Sequence, residues 1–464
     1  MFIGRESELK YLEKLYLSNK FEFAVMYGRR RVGKTTLLTE FCKGKSNIFF
    51  VAEEHSKNVE LEKFSKVVLR KFGLDNVINK FDSFENLFMF LAEKSKNERL
   101  ILVIDEFQYL ANSNKNLLSM LQNLIDHNIK ETQLFLIICG SSVSFMENEV
   151  LAYKSPLYGR RTAQFEIEPF EYYTAIKLFD NYTAEDKIIA YSILGGTPQY
   201  LLQFDPFVPI DENIKNKTMT KFSYLYEEPK NLLKQELREP SIYNSIIEAI
   251  AKGYTKLNQI STKIGEPIDK TYIYMKTLIE LRIIEKILPV TDKANSRNSF
   301  YKLKDNMFRF AYKFLYSNIE FIEQEEIEFL WKEIIKPNMN EYLGHVFEDI
   351  CMEYLKKENK ARNLPFVFKK IGKWWGNNKI EKRQEEIDIL AFYENKVIYG
   401  ECKYKNEKMS TEVYFDLKRK SELINIGSEK YYYLFSKSGF DNELIDLSKK
   451  DTKIKLVDLM MIVS

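Results

Sequence analysis

A pattern suited to binding phosphate lies near the amino terminus. The run GRRRVGKTT, from Gly28 to Thr36, fits GxxxxGK[ST] and stands between the apolar run FAVMY and the helical run LLTEF. Glycines let backbone N–H groups curl around phosphates, and the helix that follows favours negative charge. Lys34 would reach the β and γ phosphates, and Thr35 would offer its hydroxyl to magnesium. We therefore predict that Gly28, Gly33, Lys34, Thr35 and Thr36 bind ATP.

Two carboxylates follow the apolar run LILVI, which is typical of a buried strand. In a parallel sheet, this strand end would bring Asp105 and Glu106 to the edge beside the phosphate loop. Asp105 would hold Mg²⁺, and Glu106 would polarise the attacking water, as a hydrolase requires. The alternative is two acids at a strand end that face only solvent. Because the phosphate loop is present, we expect ATP and Mg²⁺ as cofactors.

A second group of reactive residues lies near the carboxyl terminus. Asp388 begins one strand-like run, and Glu401-Cys402-Lys403 ends the next. Residues i and i+2 of a strand share a face, so Glu401 and Lys403 point the same way, and a hairpin brings Asp388 beside them. Carboxylates suit Mg²⁺ or Mn²⁺, and a nearby lysine can orient the water that attacks a phosphodiester. We predict that these three residues are catalytic and that Asp388 and Glu401 bind metal.

Residues 369–383 form a basic segment with two tryptophans, Trp374 and Trp375. Six lysines or arginines against one acid would attract phosphate, and the indoles could stack on bases. The alternative is a solvated hairpin whose tryptophans belong to the core. Other candidate DNA contacts lie within residues 240–318: Lys270, Thr271, Tyr274, Lys276, Lys293, Arg297 and Lys302.

The composition excludes some classes of protein. Lys and Arg number 70 against 67 Asp and Glu over 464 residues, so the net charge of +3 gives no whole-chain argument for nucleic acid or membrane binding. The start, MFIGRESELK, does not resemble a signal peptide, and no apolar run is long enough to span a bilayer. We expect a cytoplasmic protein without a membrane partner.

The elements that must position these residues divide the chain into five segments. Alternating apolar runs and helical patterns over residues 1–170 predict an α/β fold with a parallel sheet. Residues 171–239 are expected to form a helical lid, and 319–340 a linker helix. Three helices and a two-stranded ribbon over residues 240–318 have the order of a winged helix-turn-helix. Residues 341–464 are expected to form a second α/β domain.

Four short motifs resemble those of AAA+ ATPases of the STAND and ORC-like type. FIGRESEL, which contains Arg5, resembles the box that packs near adenine, and ICGSS resembles a sensor strand with Ser141 at its tip. LYGRR resembles the segment that carries an arginine finger, on Arg160 or Arg161, and GGTP resembles the lid turn, with Pro198. The resemblance implies a P-loop NTPase core in which Arg5, Ser141 and Pro198 line the nucleotide. A finger arginine also implies a homo-oligomer.

The chain as a whole resembles archaeal and bacterial ATPases that join such a core to a winged helix and a nuclease-like domain. Its D...ExK pattern resembles that of the PD-(D/E)xK nucleases, whose fold is restriction-endonuclease-like. That resemblance implies a further metal ligand, Glu348, on the preceding helix; the usual proline before the aspartate is Ile387 here. Three hypotheses follow. The first is an ATP-controlled nuclease directed at DNA, and the second is a nucleotide-driven switch that binds DNA or a protein partner without cutting. The third is a protein-remodelling or signalling NTPase whose winged helix docks a partner.

Overall fold

The computed structural model describes residues 2–293, 296, 298–378 and 381–463. The chain forms two compact units. The first runs to Phe170 and also includes Thr197–Gln199. The second comprises Glu171–Gly196 and the chain from Tyr200 onward. Within the described ranges, no helix is long and apolar enough to cross a membrane.

The first unit is built on a parallel five-stranded sheet, in the strand order β2-β3-β4-β1-β5. Its strands are β1 (Glu22–Tyr27), β2 (Asn47–Val51), β3 (Leu100–Asp105), β4 (Leu134–Gly140) and β5 (Ala163–Glu166). Its helices are α1 (Glu6–Tyr16), α2 (Lys34–Cys42), α3 (Lys57–Lys71), α4 (Phe84–Lys94), α5 (Phe107–Ser113), α6 (Leu117–Leu124) and α7 (Val143–Phe145). The five strands are those that the apolar runs predict.

Each face of this sheet has its own apolar core. Strands β1, β3 and β4 are buried along their whole length, as the central strands of a parallel sheet must be. Because β4 lies between β1 and β3, the residue that follows β4 stands between the phosphate loop after β1 and the carboxylates after β3. This order decides which side chains can meet at the site.

The second unit begins with helices and a two-stranded ribbon. Its first helices are α8 (Tyr172–Ala175), α9 (Ala184–Leu194), α10 (Pro198–Leu201), α11 (Ile210–Thr218), α12 (Tyr224–Glu236), α13 (Pro240–Ala251), α14 (Leu257–Ile264) and α15 (Ile268–Glu280). The first two residues of α10 belong to the first unit. An antiparallel ribbon follows, made of β6 (Ile284–Ile287) and β7 (Phe300–Leu303). Helices α13 to α15 and the ribbon thus occur in the order that the sequence predicts.

The rest of this unit contains a mixed five-stranded sheet, with the strand order β12-β11-β10-β9-β8. The strands are β8 (Lys370–Asn378), β9 (Arg383–Tyr393), β10 (Lys396–Lys403), β11 (Glu429–Ser436) and β12 (Ile454–Asp458). The helices are α16 (Asn306–Phe310), α17 (Ile319–Glu323), α18 (Ile327–Phe329), α19 (Lys336–Ala361), α20 (Thr411–Ser421), α21 (Asn442–Lys450) and α22 (Leu459–Val463). Strand β10 pairs antiparallel with β9 and parallel with β11.

Two features differ from the expected organisation. Helix α19 runs without a break through the expected boundary between residues 340 and 341. Part of the basic segment 369–383 forms the edge strand β8, which pairs antiparallel with β9, as in the hairpin that the sequence analysis gives as the alternative. The five-segment division otherwise stays a prediction, since contacts group the last four segments into one unit apart from Thr197–Gln199.

Candidate functional site

The phosphate loop joins β1 to α2 and closes around its own lysine. Lys34 is 6% exposed, and its Nζ donates hydrogen bonds to the carbonyl oxygens of Gly28 (2.7 Å) and Arg29 (3.0 Å). Gly33 has a φ of 89°, which suits glycine, and a Cβ on Gly28 would lie 2.2 Å from the Ile167 carbonyl oxygen. The local backbone therefore requires both glycines of the pattern.

Thr35 and Asp105 meet at the carboxyl edge of the sheet. The Thr35 hydroxyl donates a hydrogen bond of 2.6 Å to Asp105 Oδ2, and Asp105 Oδ1 accepts one of 2.9 Å from the Glu106 N–H. A hydroxyl and a carboxylate are the oxygen ligands that Mg²⁺ prefers beside nucleotide phosphates. These two side chains fit that ion. Thr36 lies next to Thr35, exposed in the first turn of α2.

Glu106 is held by the residues at the end of the neighbouring strand. Its Oε2 accepts hydrogen bonds from Ser141 Oγ (2.6 Å) and Gln108 Nε2 (2.5 Å). Burial acts to raise the pKa of Glu106, but these hydrogen bonds and the charges of Lys34 and Arg30 outweigh it, so the pKa is lowered. Glu106 is therefore ionised near neutral pH and can accept a proton or hydrogen bond from water. Its φ of 52° is unusual for a residue that is not glycine.

Arg5 and the residues after Gly196 contact the same loop. Arg5 Nη2 donates to the Val32 carbonyl oxygen (3.1 Å), and its guanidinium lies 4.7 Å from the centre of the Phe170 ring. Arg29 Nη2 donates to the Thr197 hydroxyl (2.8 Å). These contacts support the loop. Nucleotide contact by Arg5 stays a prediction.

Pro198 also lies against the phosphate loop. A Cβ on Gly33 would stand 3.8 Å from Pro198 Cγ, in ordinary van der Waals contact. The lid turn that the sequence analysis singled out therefore meets the loop through Thr197 and Pro198. Nucleotide contact by Pro198 stays a prediction.

The two candidate finger arginines differ in their partners. Arg160 pairs with Asp126 through Nε (2.9 Å) and Nη2 (2.7 Å), and its Nη1 donates to the Pro156 carbonyl oxygen (3.0 Å). The Arg161 guanidinium lies 5.8 Å from the centre of the Tyr158 ring. Arg160 is thus held by a bidentate ion pair within its own chain.

In the second unit, a hairpin brings the carboxyl-terminal candidates together. In the antiparallel pairing of β9 with β10, Ile389 lies opposite Gly400. Asp388 and Glu401 are the next residues along the two strands, so they are neighbours. Asp388 Oδ2 accepts a hydrogen bond of 2.8 Å from the Cys402 N–H. Lys403 Nζ donates to Glu401 Oε1 (2.6 Å), as expected for residues that share a strand face.

The whole chain has a close relative among archaeal proteins. The uncharacterized protein MJECL04 of Methanocaldococcus jannaschii is 36% identical over 444 residues, which cover 94% of this chain and 96% of the relative. The chain belongs to the family of that protein. Its residues 2–204 match a family described as an ATPase domain predominantly from Archaea. Residues 311–414 match a family described as archaeal and bacterial proteins of unknown function.

Further comparisons agree with the nucleotide site. An uncharacterized ATP-binding protein of Pyrococcus abyssi, PYRAB12000, is 27% identical over 226 residues, which cover 44% of this chain and 69% of the relative. The solved structure of a Walker-type ATPase of Pyrococcus abyssi superposes with a TM-score of 0.52 at 21% identity, over 67% of this chain and 96% of that one. That structure shows the fold. The first unit of this family member is a P-loop ATPase domain.

Two lysines that sequence analysis missed lie among the carboxyl-terminal carboxylates. Lys373 of β8 forms an ion pair with Glu348 of α19. Lys420 Nζ of α20 lies 3.8 Å from Glu401 Oε2 and 3.0 Å from Asp416 Oδ2. Neither lysine belongs to a motif, because each reaches the site from an element distant in sequence. The one signal for Lys373 is its place in the basic segment.

Burial and mutual repulsion act on these carboxylates. Burial raises the pKa of Glu348 to about 7, with Lys373 opposing the rise and Asp388 adding to it. Burial and Asp388 likewise raise the pKa of Glu401, against Lys403 and Lys420. The charge of Asp388 therefore helps to raise the pKa of both Glu348 and Glu401.

The side chains do not fit a metal ion in this arrangement. Within the described ranges, no group of three or more His, Cys, Asp or Glu side chains is placed to hold one. The expected ligand set of Glu348, Asp388 and Glu401 is therefore not assembled. The physical reason is that the ammonium groups of Lys373 and Lys403 are bonded to Glu348 and Glu401.

The candidate DNA contacts on α15 differ in their exposure. Thr271 is fully buried, and Tyr274 is 9% exposed with its hydroxyl donating to Glu239 (2.7 Å). Lys270 and Lys276 each pair with a glutamate one turn away, at 3.1 and 3.8 Å. Three large apolar or aromatic side chains of this helix are exposed as well: Ile268, Tyr272 and Ile273.

The candidate DNA contacts of the ribbon and of the basic segment also differ in their surroundings. Lys302 pairs with Asp349 (2.9 Å), and Lys293 is exposed, while Arg297 lies outside the described residues. Trp375 is 6% exposed and packs on Phe300, with ring centres 4.6 Å apart. The core alternative is therefore correct for Trp375. Lys379, in the same segment, also lies outside the described residues.

Proposed function

We propose that this protein binds ATP with Mg²⁺ and hydrolyses it, as an ATPase of the AAA+/STAND type. The observation that carries the proposal is the Glu106 carboxylate, which Ser141 and Gln108 hold beside the Thr35–Asp105 pair. A carboxylate fixed at this edge is suited to orient water against a γ-phosphate. A protein that only bound nucleotide would not need it.

Each side chain has one task in this account. Thr35 and Asp105 would hold the Mg²⁺, which would supply positive charge to the nucleotide phosphates. The Lys34 ammonium exchanges its carbonyl acceptors for phosphate oxygens. Glu106 accepts a hydrogen bond from the attacking water, and Ser141 keeps that carboxylate in position.

Nucleotide titration and phosphate release test this proposal. Wild type should bind fluorescent ATP and release phosphate only with Mg²⁺, and Lys34→Ala should lose both. A suitable control is Lys43→Ala, because Lys43 is exposed at the end of the same helix and, among the residues that the structure describes, pairs only with Glu40. Binding without release in wild type would reduce the proposal to a nucleotide-binding module.

Arg161 is the better candidate for a finger arginine. Arg160 would have to give up its bidentate pair with Asp126 to reach another subunit, whereas Arg161 contacts the Tyr158 ring. A finger acts on nucleotide bound to a neighbouring copy. We therefore include a homo-oligomer in the proposal, with Arg161 completing the neighbour's site.

A second candidate function is a nuclease directed at DNA, controlled by the ATPase. The observation that favours it is the hairpin, in which Asp388 and Glu401 are neighbours and Lys403 shares the face of Glu401. The preceding helix α19 contributes Glu348, which senses the charge of Asp388. The rival hypothesis is a switch that binds DNA or a protein partner without cutting. The exposed apolar side chains of α15 favour a protein partner at that helix.

Incubation with supercoiled plasmid separates the two. The reactions contain wild type, Asp388→Ala or Glu401→Ala, with Mg²⁺ or Mn²⁺, with and without ATP. Cleavage by wild type alone supports the nuclease, and its dependence on ATP tests the coupling. Absence of cleavage in every condition, with ATP hydrolysis intact, favours the switch.

A further inference from the structure

The side-chain amide of Gln108 bridges two residues of the nucleotide site. Its Nε2 donates hydrogen bonds to Glu106 Oε2 (2.5 Å) and to Ser141 Oγ (3.1 Å), and the residue is 5% exposed. Helix α5 begins directly after Glu106, where the φ of 52° turns the chain. Because of this turn, a residue in the first turn of α5 can reach back to the carboxylate at the end of β3.

The hydrogen bonds to Glu106 select one of its two carboxylate oxygens. All three that the described residues donate to this carboxylate end on Oε2: one from Gln108, and two from the hydroxyl (2.6 Å) and the N–H (3.3 Å) of Ser141. A carboxylate oxygen has roughly two acceptor sites, so three donors occupy Oε2 fully. Oε1 is thereby the oxygen that can accept a hydrogen bond from water.

The orientation of the Gln108 amide is determined by these contacts. Its Oε1 is buried and has no hydrogen-bond partner among the described residues. A buried amide oxygen without a donor costs folding free energy. The opposite orientation of the amide would place this oxygen against the Glu106 carboxylate, acceptor against acceptor. The contact of Nε2 with Glu106 therefore explains why the unpaired oxygen is kept.

Gly140, the last residue of β4, leaves the space that this amide occupies. A Cβ on Gly140 would lie 2.8 Å from Gln108 Oε1 and 2.7 Å from Met146 Sδ. A larger residue would therefore displace the amide, the Met146 sulfur or both. The glycine that precedes Ser141 thus serves the same arrangement.

From these contacts we infer that Gln108 is a positioning residue for ATP hydrolysis, which holds the Glu106 carboxylate with Oε2 bound and Oε1 open to the attacking water. The inference rests on the ATPase function proposed above. It adds a residue that belongs to none of the motifs of the sequence analysis. Without the amide, only Ser141 remains to hold Oε2, and the Glu106 side chain occupies the productive rotamer less often.

Steady-state ATP hydrolysis by the full chain with Mg²⁺ tests the inference. Gln108→Leu removes the amide and keeps a side chain of similar size, so kcat should fall at least about tenfold while KM for ATP changes less than about twofold. Gln122→Leu, the same change on α6, is the matched control and should behave as wild type does. Circular dichroism checks folding, and Gln108→Met replaces Gln108→Leu if that variant does not fold.

A double variant tests whether Gln108 acts through Glu106. In a single-turnover assay, Gln108→Leu/Glu106→Gln should convert ATP as slowly as Glu106→Gln alone and no more slowly, because the group that Gln108 positions is already lost. A further loss in the double variant would show a general structural role for Gln108 and overturn the inference.

The remaining outcomes separate the inference from the proposed function. If Gln108→Leu keeps the kcat of wild type or changes KM alone, the inference is overturned, while a slow Glu106→Gln leaves the ATPase proposal standing. If wild type does not hydrolyse ATP, or Glu106→Gln is as fast as wild type, the proposed role of Glu106 is wrong and the inference fails with it.

Discussion

The Thr35 hydroxyl lies 2.6 Å from Asp105 Oδ2, although 70 residues separate the two in sequence. The hydrogen bond joins the first turn of α2 to the end of β3. It brings together the two side chains that we propose as oxygen ligands for Mg²⁺.

Removal of that hydroxyl should weaken the contribution of Mg²⁺ to nucleotide binding. We expect Thr35→Val to lower ATP affinity about tenfold with Mg²⁺ and little without it, because only the metal contact is lost. Titration with a fluorescent ATP analogue, with Mg²⁺ or with EDTA, measures both. Thr39→Val, an exposed threonine on the same helix, is the matched control. An equal loss with EDTA would contradict the assignment.

Ser141 should set the pH dependence of hydrolysis through Glu106. Its hydrogen bond helps to lower the pKa of Glu106, so Ser141→Ala should raise that pKa. A base with a raised pKa loses its charge at higher pH, so the acidic limb of the rate profile should move to higher pH. We expect kcat to fall about tenfold. An unshifted profile would mean that Ser141 has only a structural role, and Ser142→Ala is the control.

Arg161 and Arg160 should respond differently to substitution. Arg161→Ala should lower ATP turnover and abolish its rise with protein concentration, because a finger acts in a neighbouring subunit. Arg160→Ala should chiefly remove an exposed ion pair with Asp126 and leave turnover near wild type. Turnover per subunit, measured over a range of protein concentrations, tests both. A loss confined to Arg160→Ala would reverse the assignment.

Glu353 should make the stability of the second unit depend on pH. Burial raises its pKa from 4.5 to about 7, despite the hydrogen bond that it accepts from the Tyr172 N–H. The folded state binds the Glu353 proton more tightly than the unfolded state does. The contribution of this proton to the free energy of unfolding is therefore complete below pH 4.5 and is lost as pH rises to about 7. The loss amounts to at most about 3 kcal/mol.

Glu353→Gln should therefore be more stable than wild type at pH 8, and the difference should shrink toward pH 4. Urea unfolding across this range measures it, and Glu358→Gln, further along α19, is the control. A difference that does not change with pH would contradict the role of ionisation.

The sequence predicts the structure well where one short segment contains both the motif and the residues that form the contact. The phosphate loop and the strand that ends at Asp105 are of this kind, and both are present. The same holds for Glu401 and Lys403, whose shared face follows from the period of a strand. Local periodicity is sufficient for such features.

Contacts between distant elements escaped prediction. Lys373 reaches the carboxylates from an edge strand that the sequence analysis gives only as part of an alternative, and Lys420 reaches them from a helix that it does not predict. Thr271 and Tyr274 were expected at the surface, yet with Leu278 they follow the spacing of a buried helical stripe. That spacing could have identified the buried face, whereas the bulge in the pairing of β8 with β9 beside Lys373 depends on strand register and has no local signal.

The central claim, that Glu106 makes this nucleotide site hydrolytic, is tested most directly by a single-turnover assay. Wild type and Glu106→Gln, each in excess over radiolabelled ATP with Mg²⁺, are followed for the formation of ADP. The account predicts that Glu106→Gln binds ATP with the affinity of wild type but converts it at least about 100-fold more slowly. Equal rates of conversion in the two proteins would contradict it.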